Sequence, residues 1–339
     1  MPVRMKDIAR ELGISVVTVS KVLRNHPDIG DETRARVLKR MKELKYQPNL
    51  AARSLSTGRT STVGLVVPDL LHPFFAQIAA AVSATLRKRH YGLLISSSEE
   101  DPELEREEIE QLLARRVDVL LIASAQREVE SFHRIEEQKV PYVLLDRRFR
   151  ALNANFVGVD DEAAGVLATT HLIEQGCRRI AHIGGPQVST AIGRLNGFRK
   201  ALAAHQRAPS AIVSIGDSGD HHGMPGGYAI AKDLLTSKDR PDGIFCFNDP
   251  IAMGAMRAIL DAGLRIPEDI AVVGCGNLSY SDFLRIPLTT IDQDSQQIGE
   301  QSAALALSLA ASKKPLKPQA IVFAPRLVVR ASSQRLADH

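Results

Sequence analysis

The chain has 339 residues, 44% hydrophobic and 24% charged, which is ordinary for a soluble globular protein and long enough for two or three cored domains. It has no apolar run of about 18 residues, so no membrane span or membrane partner is expected. The start, MPVRMKDIAR, lacks the apolar core of a signal peptide, and Cys177, Cys246 and Cys275 form no C-x-x-C pair. Together these favour a reducing cytoplasm with small buried thiols over a disulfide framework or a metal site. The net charge of +4 is uneven: residues 1–60 carry 13 Lys/Arg against 6 Asp/Glu, netting +7, and the remainder nets −3. A basic head on a slightly acidic body points to a polyanion as the head's partner.

Three short helical patterns open the chain. Met5, Ile8, Ala9 and Leu12 recur at helical spacing, and Gly13 stops them. Ser15 reads as the N-cap of a second helix that runs to about Asn25. A third starts near Asp31, with Val37, Leu38, Met41 and Leu44 as its buried stripe. Two helices joined at a tight glycine turn and braced by a third make a helix-turn-helix. On the second helix Val19, Val22 and Leu23 face the core, so Val16, Val17, Ser20 and Lys21 face outward. Exposed valine methyls suit thymine methyls, and Lys21 suits guanine O6 and N7. Ser15, Thr18 and Ser20 offer short hydroxyls to phosphates or bases. A plain three-helix bundle with stray surface valines is the alternative.

The next stretch, YQPNLAARSLSTGRTS, reads as a helix of about two turns, too short to stand alone in water. Leu50 and Leu55 have no core of their own, and a leucine offered to DNA can wedge between base steps in the minor groove. A flexible linker is the alternative.

MKDIARELGISVVTVSKVLRN and TRARVLKRMKELKYQPNLAARSL closely resemble the N-terminal module of the lactose-repressor (LacI/GalR) family. The resemblance implies hinge contacts to DNA from Asn49, Ala52 and Leu55, and operator choice by Val16, Val17 and Lys21. Asn25 and Tyr46 join the expected DNA-facing set. The valine pair departs from the polar residues of several well-known members.

After Thr60 continuous apolar runs alternate with amphipathic helices, the mark of parallel doubly wound sheets. TVGLVVP, YGLLISS, VDVLLIAS and YVLLD form one series, and a second restarts near Phe156 with FVGVD. RIAHIGG, AIVSIGD, GIFCFND, IAVVGCG and TTIDQD continue it, then a long helix and the runs AIVFAP and RLVVR. Two series mean two Rossmann-like subdomains, which look like the periplasmic-binding-protein fold that the same family uses for its effector domain. The expected organisation is therefore an all-α helix-turn-helix domain (1–47), a hinge helix and linker (48–60), and an α/β effector-binding and dimerisation body (61–339). The resemblance divides the body into subdomains of about 61–160 with 291–322, and about 161–290 with 323–332.

Ligands of open α/β sheets bind beyond the carboxyl ends of strands. Standing there are His72, Phe74, Phe75, Ser124, Asp146, Thr190, Arg194, Asn248, Asp249 and Gln293. Aromatic faces, carboxylates, an amide and an arginine suit a sugar or polyol. The family positions of Asp146, Arg194, Asn248 and Gln293 often contact effector, whereas Asp249 reads better as a helix cap. Many sugar-binding members have an aspartate where this chain has Gly276; either Asn277 substitutes for it or the effector differs in class. His221 and His222 lie in the Gly-rich stretch GDSGDHHGMPGGY, where solvated imidazoles are expected rather than a metal site. GGPQVSTAIG lacks the spacing of a phosphate loop, and no nucleophile–base set is visible. The expected function is a cytoplasmic transcriptional repressor, not an enzyme, with no cofactor or metal. Its expected partners are a pseudo-palindromic operator, a sugar-like effector and a second copy of the chain. A transport solute-binding protein is the second class, disfavoured by the basic head.

Overall fold

The computed structural model describes residues 3–23, 26–46, 58–129, 132–149, 151–215, 223–312 and 314–335. The chain falls into two compact units, Met1–Thr60 and Ser61–His339. Asn25, most of the expected hinge helix with Asn49, Ala52 and Leu55, and the pair His221–His222 lie outside the described residues.

The first unit holds α1 (Met5–Leu12), α2 (Val16–Leu23) and α3 (Asp31–Glu43). Gly13 closes α1 at φ 64°, a left-handed conformation that glycine adopts without strain. The Thr18 amide donates to Ser15 Oγ at 3.0 Å, so Ser15 caps α2. Acidic residues Asp31 and Glu32 open α3 and basic Arg40 and Lys42 end it, matching the helix dipole. Ile8, Ala9, Val19, Val22, Val37 and Met41 form the core. Burying each Val or Ile there contributes about 1.5–3 kcal/mol. Leu38 does not join it and is 49% exposed. As the next residue after Val37 it is turned about 100° around the helix, off the buried stripe.

The second unit is built on two six-stranded sheets. The first contains β1 (Thr62–Val67), β2 (Gly92–Ser97), β3 (Val119–Ile122), β4 (Tyr142–Leu145), β5 (Asn155–Val159) and β11 (Ala320–Phe323). Its order is β11-β5-β4-β3-β1-β2, parallel throughout. The second contains β6 (Ile180–Gly184), β7 (Ala211–Ser214), β8 (Gly243–Cys246), β9 (Ala271–Cys275), β10 (Thr289–Asp292) and β12 (Arg326–Val328). Its order is β12-β10-β9-β8-β6-β7, with β10–β12 antiparallel.

The strand at Phe156 therefore ends the first series rather than opening the second, because β5 pairs with β4 and β11. A parallel strand buried on both faces is a continuous apolar run, and nothing in its local spacing names its sheet. The chain crosses between sheets after β5, after β10, and between β11 and β12.

Helices cover both faces. α4 (Pro73–Arg87) and α11 (Ser295–Ala311) pack together on the first sheet, with α5 (Pro102–Ala114) and α6 (His133–Glu137) opposite. α7 (Asp161–Glu174) and α8 (Ser189–Ala204) cover one face of the second sheet, and α9 (Gly223–Thr236) and α10 (Asp249–Asp261) the other. In each sheet the strand order reverses beside the first strand, which opens a crevice past the carboxyl ends.

Candidate effector site and nucleic-acid interface

Both sheets direct their carboxyl ends at one cavity of about 730 Å³. The loop after β1 supplies His72, and the first turn of α4 supplies Phe74 and Phe75. The end of β4 supplies Asp146 and Arg147, the end of β8 Phe247 and Asn248, and the end of β10 Gln293. Seven of the residues expected from the sequence thus meet there: His72, Phe74, Phe75, Asp146, Arg194, Asn248 and Gln293.

Arg194 is placed by the contact of two helices. A Cβ on Gly165 of α7 would lie 2.1 Å from the Arg194 carbonyl, so only glycine lets α8 lie this close. Asp161, in the first turn of α7, then accepts from Arg194 Nε at 3.0 Å. Arg194 Nη1 donates to the Phe247 carbonyl (2.7 Å) and Nη2 to Gln293 Oε1 (2.6 Å). Its guanidinium also lies 4.6 Å from the centroid of the Phe247 ring. Burial pushes the Asp161 carboxyl up to about 7, with Arg194 pulling the other way.

Asp146 and Arg147 are each 5% exposed. Asp146 sits at φ 58°, a left-handed conformation uncommon for residues other than glycine. Its Oδ1 has no partner, and burial raises its pKa. Arg147 binds both oxygens of Glu100 (2.8 and 2.6 Å) and the Ser124 carbonyl (3.1 Å), while its Nε is unpartnered. Both residues line the cavity, and each carries one buried polar atom without a partner, an acceptor on Asp146 and a donor on Arg147.

His72 and Asn248 face each other from the two halves of the body. His72 Nδ1 accepts the Phe74 amide (3.3 Å), and burial holds its pKa down to about 4, so the neutral ring carries its proton on Nε2. Asn248 Oδ1 accepts the Ile251 amide (2.9 Å), which turns Nδ2 toward His72 Nε2 at 3.3 Å. Two donors that face one another are satisfied by an acceptor placed against both.

Ser124 and Thr190 do not line this cavity. Ser124 lines a neighbouring cleft of about 660 Å³ and donates to Glu105 at 2.6 Å. Thr190 is buried with its hydroxyl unpartnered. Asp249 is not the helix cap, since Asn248 is. Its carboxylate instead accepts from the Leu278 amide (2.9 Å), the Ser281 hydroxyl (3.0 Å) and the Thr290 hydroxyl, which pins the loop after β9. Gly276 has φ 141°, open only to glycine, so an aspartate would not fit this backbone. Asn277 does not replace it, because its oxygen accepts from Arg330 at 2.9 Å. Sequence spacing missed Arg147, Glu100, Phe247 and Tyr280, which also line the cavity. Arg147 stands next to Asp146 in YVLLDRR and was findable by that adjacency. Cys275 lines the cavity as a buried thiol, and Cys177 and Cys246 are buried and free as well.

In the head, Val16 and Val17 are 43% and 62% exposed on the outer face of α2. Ser15 Oγ and Thr18 Oγ1 are 2.9 Å apart, and Ser20 and Lys21 are part-exposed one turn further on. Tyr46 is half-buried against the head's core. The presented surface combines methyls, hydroxyls and an ammonium at the start of a helix that projects from a small bundle. Among the described residues no helix is long and apolar enough to cross a membrane, and no cluster of His, Cys, Asp and Glu could hold a metal.

Comparison with known proteins agrees with this geometry. Residues 4–49 match the family model of bacterial regulatory proteins, lacI family, and residues 60–315 match that of periplasmic binding proteins and sugar binding domain of LacI family. The ribose operon repressor of Halalkalibacterium halodurans is 33% identical over 97% of each chain. The lac repressor dimer bound to operator and the anti-inducer ONPF superposes with a TM-score of 0.86 at 29% identity, covering 99% of this chain and 100% of that one. A LacI family regulator from Enterococcus faecium with bound ribose gives 0.72 at 27% identity, over 81% and 99%. The chain belongs to the LacI family: it is a DNA-binding transcriptional repressor with a helix-turn-helix head and an effector-binding body for small molecules.

Proposed function

We propose that the cavity takes a sugar or sugar-like polyol, and that its occupancy sets how tightly a homodimer of the chain holds a pseudo-palindromic operator in the cytoplasm. One observation carries the choice of ligand. Asp146 and Arg147 both line the cavity, and each has a buried polar atom without a partner, an acceptor and a donor, which suits ligand hydroxyls that both donate and accept. The donors of His72 and Asn248 suit a second ligand oxygen, and Phe74 and Phe75 offer apolar faces to a sugar ring. Arg194 and Gln293 complete the contact set, from which Ser124 and Thr190 are dropped. The ribose in the Enterococcus faecium structure and the ribose operon repressor's name support the same ligand class. On the DNA side the contacts are Ser15, Val16, Val17, Thr18, Ser20 and Lys21, with Tyr46 bracing them. Pairing two heads on a two-fold site follows the operator-bound lac repressor dimer. The cavity serves binding rather than turnover, and its ligand acts by preferring one arrangement of the two subdomains.

Thermal unfolding of the full chain against a panel of pentoses, hexoses and polyols tests this, because a ligand of the native state raises its stability. At least one sugar raises the midpoint, and Asp146→Ala abolishes that response. A panel in which no sugar acts while amino acids or nucleobases do would sink the choice of ligand.

A further inference from the structure

Between α2 and α3 the chain makes a short turn, and its carboxylate points back at the reading helix. Lys21 Nζ donates to Asp28 Oδ2 at 3.1 Å. The Asp28 side chain is 58% exposed and that of Lys21 35% exposed, so neither is needed to fill the core. The turn itself is held firmly. Arg34 Nη2 from α3 donates to the carbonyls of His26 (2.8 Å) and Ile29 (3.3 Å), and Ile29 packs on the head's core. The His26 amide donates to the Lys21 carbonyl (3.0 Å), and the Asp28 amide to His26 Nδ1 (3.4 Å). An exposed ion pair of this kind adds little stability. Its consequence is positional: wherever the Lys21 ammonium meets DNA, a carboxylate stands one hydrogen bond away.

That placement has an electrostatic cost against a polyanion, unless the carboxylate finds a donor on the DNA. The major groove offers such donors only on bases, namely cytosine N4 and adenine N6. An ammonium with one N–H on Asp28 keeps two for guanine O6 and N7. The Lys21 hydrogen bond holds the Asp28 carboxyl below its usual range.

We propose that Asp28 is a specificity-determining residue of the head, which with Lys21 reads one G·C step in each half-site: Lys21 donates to guanine and Asp28 accepts from a base amine beside it. The same carboxylate repels phosphates, so Asp28 also holds down non-specific binding.

Selection of full-length protein on random duplex DNA, followed by sequencing, tests the assignment with wild type, Asp28→Asn, Asp28→Ala and Asp28→Glu. Wild type enriches a G·C pair at one position of each half-site. Asp28→Asn and Asp28→Ala reduce that preference by about fivefold or more, the low end of a base contact's discrimination, and Asp28→Glu keeps part of it. Anisotropy on a random-sequence duplex gives both neutral variants tighter non-specific binding, with a salt slope steeper by up to about one unit. Unchanged thermal unfolding separates this from a folding defect. The proposal is overturned if the neutral variants select the same base frequencies as wild type, even when their overall affinity rises, since that outcome is a bulk charge effect.

Discussion

The head and the body place their functional groups on opposite sides of the solvent boundary. In the head Val16 and Val17 are exposed, while the core lies beneath them in Ile8, Val19, Val22 and Val37. In the body the groups that face the cavity, Asp146, Arg147, Arg194 and Gln293, are themselves buried, and Arg194 holds Gln293 while Arg147 holds Glu100. Function and stability are therefore separable in the head and joined in the body. A buried charge that loses its partner costs far more than an exposed one, and this sets the order of the effects below.

The largest effect is expected at Arg194. Arg194→Leu leaves Asp161, Gln293 Oε1 and the Phe247 carbonyl without their donor. Removing one member of a buried pair costs about 3–5 kcal/mol, so urea unfolding of the body shifts strongly and effector binding is lost with it. An Arg194→Leu body as stable as wild type would break the comparison at its root.

The next effect is in pH. His182 is stacked between Phe198 and Phe245, and its Nδ1 pairs with the Phe245 carbonyl at 3.0 Å. Burial lowers its pKa from 6.5 to about 4. The unfolded chain binds a proton near pH 6.5 that the folded body refuses until about pH 4. Its contribution is thus complete above pH 6.5 and is lost as pH falls through that window, by up to roughly 3 kcal/mol. His72, also lowered to about 4, acts in the same direction. Denaturant midpoints at pH 7 and pH 4.5 should fall less for His182→Gln than for wild type. Equal slopes for the two proteins would remove His182 from the account.

Smaller effects belong to the head. Ser15→Ala removes the cap of α2 and should destabilise the head by about 1 kcal/mol, read in its own unfolding transition. Val17→Ala should change stability by no more than about 0.5 kcal/mol, because the side chain is 62% exposed. Its loss should instead appear as weaker operator binding in anisotropy. A variant with changed stability and unchanged DNA affinity would reverse the assignment of that face.

The same contrast explains what was legible in the sequence. The head's reading face follows from helical spacing within one short segment, so Val19 and Val22 could be separated from Val16 and Val17 by counting. Even there Leu38 was misplaced, because hydrophobicity alone does not say on which side of a stripe a residue sits. The body's strands were legible as apolar runs, but spacing alone did not place β5, since membership is decided by which distant strand it pairs with; the resemblance, which ended the first subdomain near 160, put it with the first sheet. Strand ends gave seven cavity residues and also gave Ser124 and Thr190, because a strand end fixes a region and not a side chain's direction. Ser124 is drawn away by Glu105, a buried carboxylate on α5. Arg147 was missed because its partner Glu100 lies on another loop, 47 residues away.

The central claim is that a small molecule in the body's cavity controls the affinity of the head for operator, and reciprocity tests it most directly. Once a sugar that stabilises the full chain is in hand, its Kd is measured by calorimetry with the protein free and with saturating operator duplex. Linkage requires the two values to differ, typically by about 5- to 150-fold, and by the same factor by which that sugar changes operator affinity. Equal sugar affinities for free and operator-bound protein would contradict the account, since the cavity and the head would then be uncoupled.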